Sequence, residues 1–286
     1  MRTTAHLLLA ALTGLALVAC ERDVTYEEML EVAEDSQTVQ QLWGEVFETV
    51  DEESKSGENA DSLFKRGVQI YRSQLDTCAL ITLNTNGGVF PMALRIDWGN
   101  GCTGVDGRLR EGALDCEFTG LYSDPGTEVT ITTDQYRVNG HRLEGTQTIT
   151  NDGRNAANNL EFRVSVPDGI ITTPAGEQLT WRSERIHEWT AGESTNFLTD
   201  GLAGVCDDDY LIRGFGEGES SEGTGYRIES TEDLEWQICC FRPTDGILDY
   251  SIEGTSVAQI DYSANSCTDP TANVTFDGRD YVIVVL

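Results

Sequence analysis

EVTITTDQYRVNG, residues 128–140, decides the fold of this chain, because apolar and polar side chains alternate along it until Asn139-Gly140. Alternation with a period of two places the apolar side chains on one face of a β-strand. An Asn-Gly pair directly after such a run indicates a tight hairpin turn. Similar runs surround four Asp-Gly pairs: Asp152-Gly153, Asp168-Gly169, Asp245-Gly246 and Asp277-Gly278. No helical pattern interrupts these runs, so residues 78–286 are predicted to form an antiparallel, hairpin-rich sheet or sandwich.

The segment before Cys78 has a different pattern. Thr25 and Glu28 fit a capping box at the start of a helix, and apolar residues then recur at helical spacing: Met29, Val32, Val39, Leu42, Trp43, Val46, Phe47 and Val50. The polar run KSGENADS at 55–62 predicts a break, with a second short helix over 62–71. We interpret residues 20–77 as a helical spacer or stalk, or as a helix packed on the β domain. A partner-binding helix is the alternative.

The β region contains two similar segments that indicate an internal repeat. Ile96-Asp97-Trp98 leads to Cys102-Thr103, and Ile260-Asp261-Tyr262 leads to Cys267-Thr268, with another cysteine upstream of each. We interpret this as two related units, around 78–160 and 161–286. The hypothesis for the disulfides is one bridge in each unit and a third between them: Cys78–Cys102, Cys240–Cys267 and Cys116–Cys206. Cys239 is then the free thiol, although Cys239 and Cys240 are neighbours and could exchange roles.

Charge and composition exclude several classes of partner. The chain of 286 residues has 49 acidic and 19 basic residues and a net charge of −30. Nucleic-acid binding requires clustered lysine and arginine, so no nucleic-acid partner is expected. An acidic surface maintains solubility in a salty exterior, which is the simpler interpretation; a surface loaded with calcium is the alternative.

Candidate catalytic groups are few. Apart from His6, just before the first apolar run, the histidines are His141, after a predicted turn, and His187, which lies in a stretch that alternates with two tryptophans. No nucleophile-elbow sequence accompanies either of them, and they form no zinc-ligand cluster with cysteines expected in disulfides. Paired carboxylates suit glycosidases, but they have little specificity in so acidic a chain. Consecutive Asp207, Asp208 and Asp209 are weak calcium candidates that do not match the EF-hand pattern, so no cofactor is expected.

The first twenty residues form a pattern of their own. Met1-Arg2 precedes an apolar run from Leu7 to Ala19, which is too short to span a bilayer and is typical of a secretory signal. The ending Leu17-Val18-Ala19-Cys20 resembles the lipobox of bacterial lipoproteins. This resemblance implies that residues 1–19 are removed and that Cys20 carries lipid, including palmitate. Glu21 in place of aspartate implies the outer membrane, with the domain on its periplasmic or surface face.

Further stretches resemble an uncharacterised group of Gram-negative lipoproteins: QLWGEVFETVDEES, IDWGNGCTGVDGRLREG, VNGHRLEGTQTITNDG and LTWRSERIHEWTAG. The group has no established activity, so the resemblance assigns no functional residue. We therefore expect a non-catalytic binding, scaffold or surface-structural module of the cell envelope. Its partners are the membrane, through Cys20, and an unknown envelope protein or glycan. The alternatives are a polysaccharide-active hydrolase that uses paired carboxylates and a calcium-dependent adhesin.

Overall fold

The computed structural model describes residues 23–59, 67–73, 78–196, 200–240, 242–253, 255–263 and 266–284. A long helix, α1 (Tyr26–Asn59), is followed by fifteen antiparallel strands in one sheet. A short helix, α2 (Ala203–Cys206), and a 3-10 turn (Ile238–Cys240) flank two of the strands. The all-β antiparallel fold with a helical N-terminal segment is thus confirmed, in the form of a single sheet.

Each strand pairs with the next along the sheet, except that β6 and β7 both lie between β5 and β8. The strands are β1 (Val68–Arg72), β2 (Leu80–Asn84), β3 (Met92–Thr103), β4 (Leu109–Phe118), β5 (Glu128–Val138), β6 (His141–Glu144), β7 (Thr146–Arg154), β8 (Leu160–Thr172), β9 (Gln178–Ala191), β10 (Asp209–Glu219), β11 (Gly225–Gln237), β12 (Pro243–Ile252), β13 (Thr255–Asp261), β14 (Thr271–Phe276) and β15 (Arg279–Val284).

The helix α1 begins at the predicted cap, where the Glu28 amide donates to the Thr25 hydroxyl over 3.2 Å. Its apolar stripe is buried, as the periodicity indicates: Met29, Val32, Val39, Leu42, Trp43, Val46, Phe47 and Val50 are at most 6% exposed. Polar side chains on its other faces are buried as well, among them Glu45, Asp51 and Lys55. Between Glu45 and Lys55 nearly every side chain of the helix is buried, so this part of α1 lies inside the fold. The segment is therefore packed on the β domain, and the spacer or stalk interpretation is wrong.

The sheet curls around α1 from one end of the helix to the other. Tyr26, in the first turn, stacks on Tyr281 of β15 with ring centroids 4.2 Å apart. In the middle, the Gln40 side chain accepts from Arg185 of β9 over 2.8 Å. Further along, Glu45 accepts from Arg110 of β4 over 2.8 Å. The helix therefore contacts the edge strand β15 near its start, the central strand β9 in its middle and β4 further along.

The predicted turn signals divide into two groups. Asn139-Gly140 and Asp277-Gly278 connect β5 to β6 and β14 to β15, as expected for hairpins. The pairs at 152–153, 168–169 and 245–246 lie inside β7, β8 and β12, where the pairing register shifts. Glycine with positive φ suits a β-bulge as well as a tight turn. A bulge bends its strand, which helps a sheet to curl around a helix.

Two predicted disulfides are present and the third is different. Cys78–Cys102 and Cys240–Cys267 each tie a hairpin, β2–β3 and β12–β13 respectively. Cys206 pairs with Cys239 and not with Cys116, which is a buried free cysteine. The short α2 places Cys206 beside the 3-10 turn that carries Cys239, whereas Cys116 of β4 faces the core. The prediction of Cys239 as the free thiol is therefore wrong.

Two further expectations about organisation differ from the structure. Residues 68–72, in the predicted second helix, form β1, and residues 62–66 lie outside the described part of the chain. Units ending at 160 and starting at 161 are not separate bodies, because β8 pairs with both β7 and β9. One core cluster joins α1 to strands along the sheet. The repeated disulfide-tied hairpins are local features of that sheet.

Candidate functional site

The inward face of β9 carries the side chains around which the candidate site is built. Alternate residues of this strand point toward α1: Trp181, Ser183, Arg185, His187 and Trp189. The sequence pattern predicted that His187 shares a face with two tryptophans, and this is confirmed. Neighbouring β10 carries Gly216 opposite Ser183, and a Cβ at Gly216 would overlap the Trp181 ring. Glycine there gives the indole room to lie flat against the sheet.

An inner cavity of about 40 Å³ lies between α1 and β9. The helix contributes Trp43, Phe47 and Glu48 to its wall, and the sheet contributes Trp181, Arg185, His187 and Trp236. Buried polar atoms without a protein partner belong to three side chains that line it: Trp43 Nε1, Gln147 Oε1 and His187 Nδ1. Such groups are normally satisfied by a hydrogen bond, so the cavity suits a polar occupant.

His187 is buried and its ring contacts Phe47 edge-on, with centroids 4.4 Å apart. Burial, with the charge of Arg185, lowers the pKa of His187 to about 3. The imidazole is therefore neutral at physiological pH and is a poor base there. This environment places His187 in the core and argues against a catalytic role.

Arg185 is a cation on the inner face of the sheet. One of its Nη atoms donates to Gln40, and its guanidinium lies 5.3 Å from the Trp181 ring centroid. Burial lowers the pKa of Arg185 to about 10, so the side chain stays charged at neutral pH. It forms no ion pair with a carboxylate among the described residues, which is unusual for an arginine inside a fold.

An outer cleft of about 720 Å³ opens on the other side of Trp181, which lines both spaces. Its wall includes Ile170 of β8, Arg182 of β9, Glu217 of β10 and Tyr226 of β11. The Tyr226 hydroxyl is buried and has no partner in the described residues. Glu217 bridges two arginines, at 2.6 Å to Arg182 and 2.9 Å to Arg227.

The glycine-rich stretch from Arg213 to Gly225 builds this cleft. It forms the end of β10, a turn and the start of β11. A Cβ at Gly218 would collide with the Thr180 carbonyl of β9. The glycines therefore allow β9 and β10 to approach closely, and the cleft lies where their side chains are missing.

A second polar cluster lies at the far end of α1. Lys55 contacts Asp51 and Glu52, each over 3.2 Å, and also pairs with Asp208. Asp208 accepts from the Trp189 indole, and burial raises the pKa of Asp208 to about 7 even though Lys55 opposes the shift. Three carboxylates share one ammonium group here, and the cluster joins the helix to the sheet.

The weak calcium candidates do not form a common site. Asp208 is buried against Lys55, while Asp207 accepts from the Thr195 hydroxyl over 3.0 Å. Asp209 begins β10. Across the described ranges, no group of three or more His, Cys, Asp or Glu side chains is arranged to hold a metal ion.

Four carboxylates line the outer cleft: Asp168, Glu217, Glu219 and Glu253. The hydrogen bond from Arg182 lowers the pKa of Glu217, so this group stays ionised.

The sequence pattern identified the inward side chains of β9 around His187. It did not identify Arg185 as a buried charge among them. An arginine at an inward position of an alternating strand was the available signal.

Cys20 lies outside the described residues, so its lipidation stays a prediction. Among the described helices, none combines the length and the apolar character needed to cross a membrane. His141 lies at the start of β6, directly after its predicted turn.

Comparison with known proteins found no matching family model, no matching curated protein and no matching solved structure.

Proposed function

We propose that this chain is an exported, lipid-anchored protein of the outer membrane that binds an envelope glycan in its outer cleft without catalysing a reaction. The observation that carries the proposal is the cleft, whose volume of about 720 Å³ is typical of a ligand site. Its wall is formed by strands of the sheet, so the shape of the site exists before a ligand binds.

The lining of the cleft suits a sugar. Arg182, Glu217 and Arg227 form a row of planar groups joined by two ion pairs, and these groups can donate to and accept from neighbouring hydroxyls. The Tyr226 hydroxyl supplies a further polar atom, and Ile170 supplies an apolar surface that is 38% exposed. A mixture of fixed polar groups and apolar surface favours a ligand rich in hydroxyl groups.

Export and anchoring are supported by other features. Three disulfides favour an oxidising compartment. Because α1 begins at Tyr26 inside the sheet, only residues 21–25 separate it from Cys20. Such a tether reaches about 20 Å at full extension, so a lipidated Cys20 would hold the β domain close to the membrane surface.

The glycan proposal is tested with the mature chain on an array of bacterial envelope glycans. We expect the wild type to bind a defined set, and Ile170→Trp to abolish binding by filling the cleft. Val282→Trp, at a position 68% exposed on β15, is the matched control and should bind like the wild type. Equal binding by both variants would place any glycan elsewhere, and release of reducing sugar from a bound glycan would favour the hydrolase.

Anchoring is tested separately by labelling cells with palmitate. The wild type should incorporate the label and fractionate with the outer membrane, whereas Cys20→Ala should do neither. Cys116→Ala is the control, because its thiol is buried and should not receive lipid. Label that persists in Cys20→Ala would refute the anchor.

A further inference from the structure

Arg185 differs from the other arginines that reach α1. Arg110 donates to Glu45 over 2.8 Å and also pairs with Asp106, and Arg108 shares both acids. Arg185 instead has a neutral amide, Gln40, and the face of Trp181. A cation inside a fold is costly unless an opposite charge lies nearby. The inner cavity beside Arg185 is the place where such a charge can be accommodated.

The groups around the cavity do not supply the missing charge. His187 is neutral, and the tyrosines near the guanidinium, Tyr226, Tyr250 and Tyr262, all have pKa values raised by burial, so they are neutral phenols. Glu48 is the carboxyl group on the wall, and burial raises its pKa to about 8. At neutral pH the lining therefore has an excess of about one positive charge.

We infer that the inner cavity binds one small monovalent anion of halide size, held by the guanidinium of Arg185. The volume of about 40 Å³ has room for about three water-sized particles, which admits a halide but excludes an anion as large as gluconate. The hydroxyl of Ser183, next to Arg185 on the inward row, also lines the cavity and can donate to the anion. Unpartnered polar atoms on the same wall can bind accompanying water.

Trp181 lies between this site and the outer cleft, because it lines both spaces. The anion also supports the stacking of Arg185 on Trp181, since it neutralises the guanidinium without withdrawing it from the ring. The inference does not depend on the glycan proposal and would stand if no glycan bound.

The test is chloride binding measured by the line width of the ³⁵Cl resonance, with bromide as competitor. Wild-type protein should give a saturable broadening for one ion per chain, and bromide should reverse it. Arg185→Met should weaken binding about tenfold or more, since it removes the charged donor. Arg163→Met is the matched control: this arginine pairs with Asp152 and Glu184 on the outer face, and broadening should persist.

A second measurement covers the case in which Arg185→Met does not fold. The melting temperature of the wild type should rise more in sodium chloride than in sodium gluconate of equal ionic strength, because gluconate is too large for the cavity. Arg185→Lys keeps the charge and should reduce this difference without removing it. Absence of both saturable broadening and a chloride-specific rise would show that the cavity holds water alone. Unchanged broadening in a folded Arg185→Met would place the ion elsewhere.

Discussion

Glu48 lies on α1 at the wall of the inner cavity, and its carboxyl group accepts a hydrogen bond from the Trp236 indole over 2.9 Å. Burial raises its pKa to about 8, while Arg108 acts in the opposite direction. A carboxyl group whose pKa is higher in the folded state binds more protons there than in the unfolded chain. Its contribution to stability is complete below the unfolded pKa and is lost as the pH rises through about 8.

Glu48→Gln should therefore remove part of the pH dependence of unfolding. We expect the variant to match the wild type near pH 4.5 and to be more stable at pH 9. The difference in the free energy of unfolding should be on the order of 2 kcal/mol, a value reduced because the half-buried side chain is partly screened by solvent. Urea unfolding at a series of pH values measures this. Glu34→Gln, at an exposed position on α1, is the control and should leave the profile unchanged. A Glu48→Gln profile parallel to the wild type would contradict the assignment.

Glycine has opposite roles at two positions near the cavity. A Cβ at Gly216 would overlap the Trp181 ring, whereas one at Gly44, inside α1, would meet only Trp236 at 4.0 Å. Gly216→Ala should destabilise the protein by about 1–3 kcal/mol through overpacking. Gly44→Ala should stabilise it by about 0.5–1 kcal/mol, because alanine favours the helix. Thermal melting of both variants checks the signs, and equal shifts would show that the Trp181 ring moves freely.

At the scale of elements, α1 shows what periodicity can and cannot predict. The spacing of Met29, Val32 and Phe47 marks one apolar face, and that face is buried. Glu45 and Asp51 lie off the stripe, and their sequence gives no sign that they are buried too. Their partners, Arg110 and Tyr122, are distant in sequence and come near only when the sheet curls. The interior position of the helix therefore could not be predicted from its own pattern.

Removal of α1 tests its role as core. A chain that starts at residue 60 should show no cooperative unfolding and should bind a hydrophobic dye, because the inner face of the sheet would lose its packing partner. Addition of a separate peptide of residues 26–59 should restore cooperative melting. If α1 were a stalk, the shortened chain would melt at the same temperature as the full chain, with or without the peptide.

The cysteines give a second result at this scale. The repeated spacing around Cys102 and Cys267 predicted two bridges because a hairpin brings cysteines at its two ends together within one local unit. The partner of Cys206 could not be predicted in this way, since its bridge to Cys239 joins α2 to the 3-10 turn. Cys116 is the free cysteine among the described residues, and burial raises the pKa of its thiol.

Peptide mapping without reduction should therefore recover a Cys206–Cys239 link. An alkylating reagent should modify Cys116 only after the protein unfolds, because both burial and the raised pKa suppress the thiolate. Cys116→Ala should retain all three bridges. A peptide that links Cys116 to Cys206 would contradict the pairing and restore the scheme drawn from spacing.

On the scale of the whole molecule, two arginines of the outer face each contact three acids. Arg95 contacts Asp97, Asp115 and Asp134 across neighbouring strands, and Arg213 contacts Glu161, Glu188 and Asp233. These ion pairs hold neighbouring strands together. With 49 acidic and 19 basic residues, however, most of the repulsion among carboxylates is uncompensated. The composition predicted an acidic surface but not the cross-strand partners, which depend on register.

Salt should stabilise the protein by screening repulsion among the carboxylates, and should destabilise it by screening the arginine–carboxylate ion pairs. The excess of acidic residues decides which effect is larger. Salt screens both over a Debye length of about 10 Å at 0.1 M, but exposed ion pairs contribute at most about 1 kcal/mol each, whereas a net charge of −30 acts across the whole surface. We expect the melting temperature to rise by about 5 °C from 10 mM to 500 mM sodium gluconate, which avoids the anion site. Calorimetry measures the shift. A fall in melting temperature would mean that the ion pairs of the arginines stabilise the sheet more than repulsion among the surplus carboxylates destabilises it.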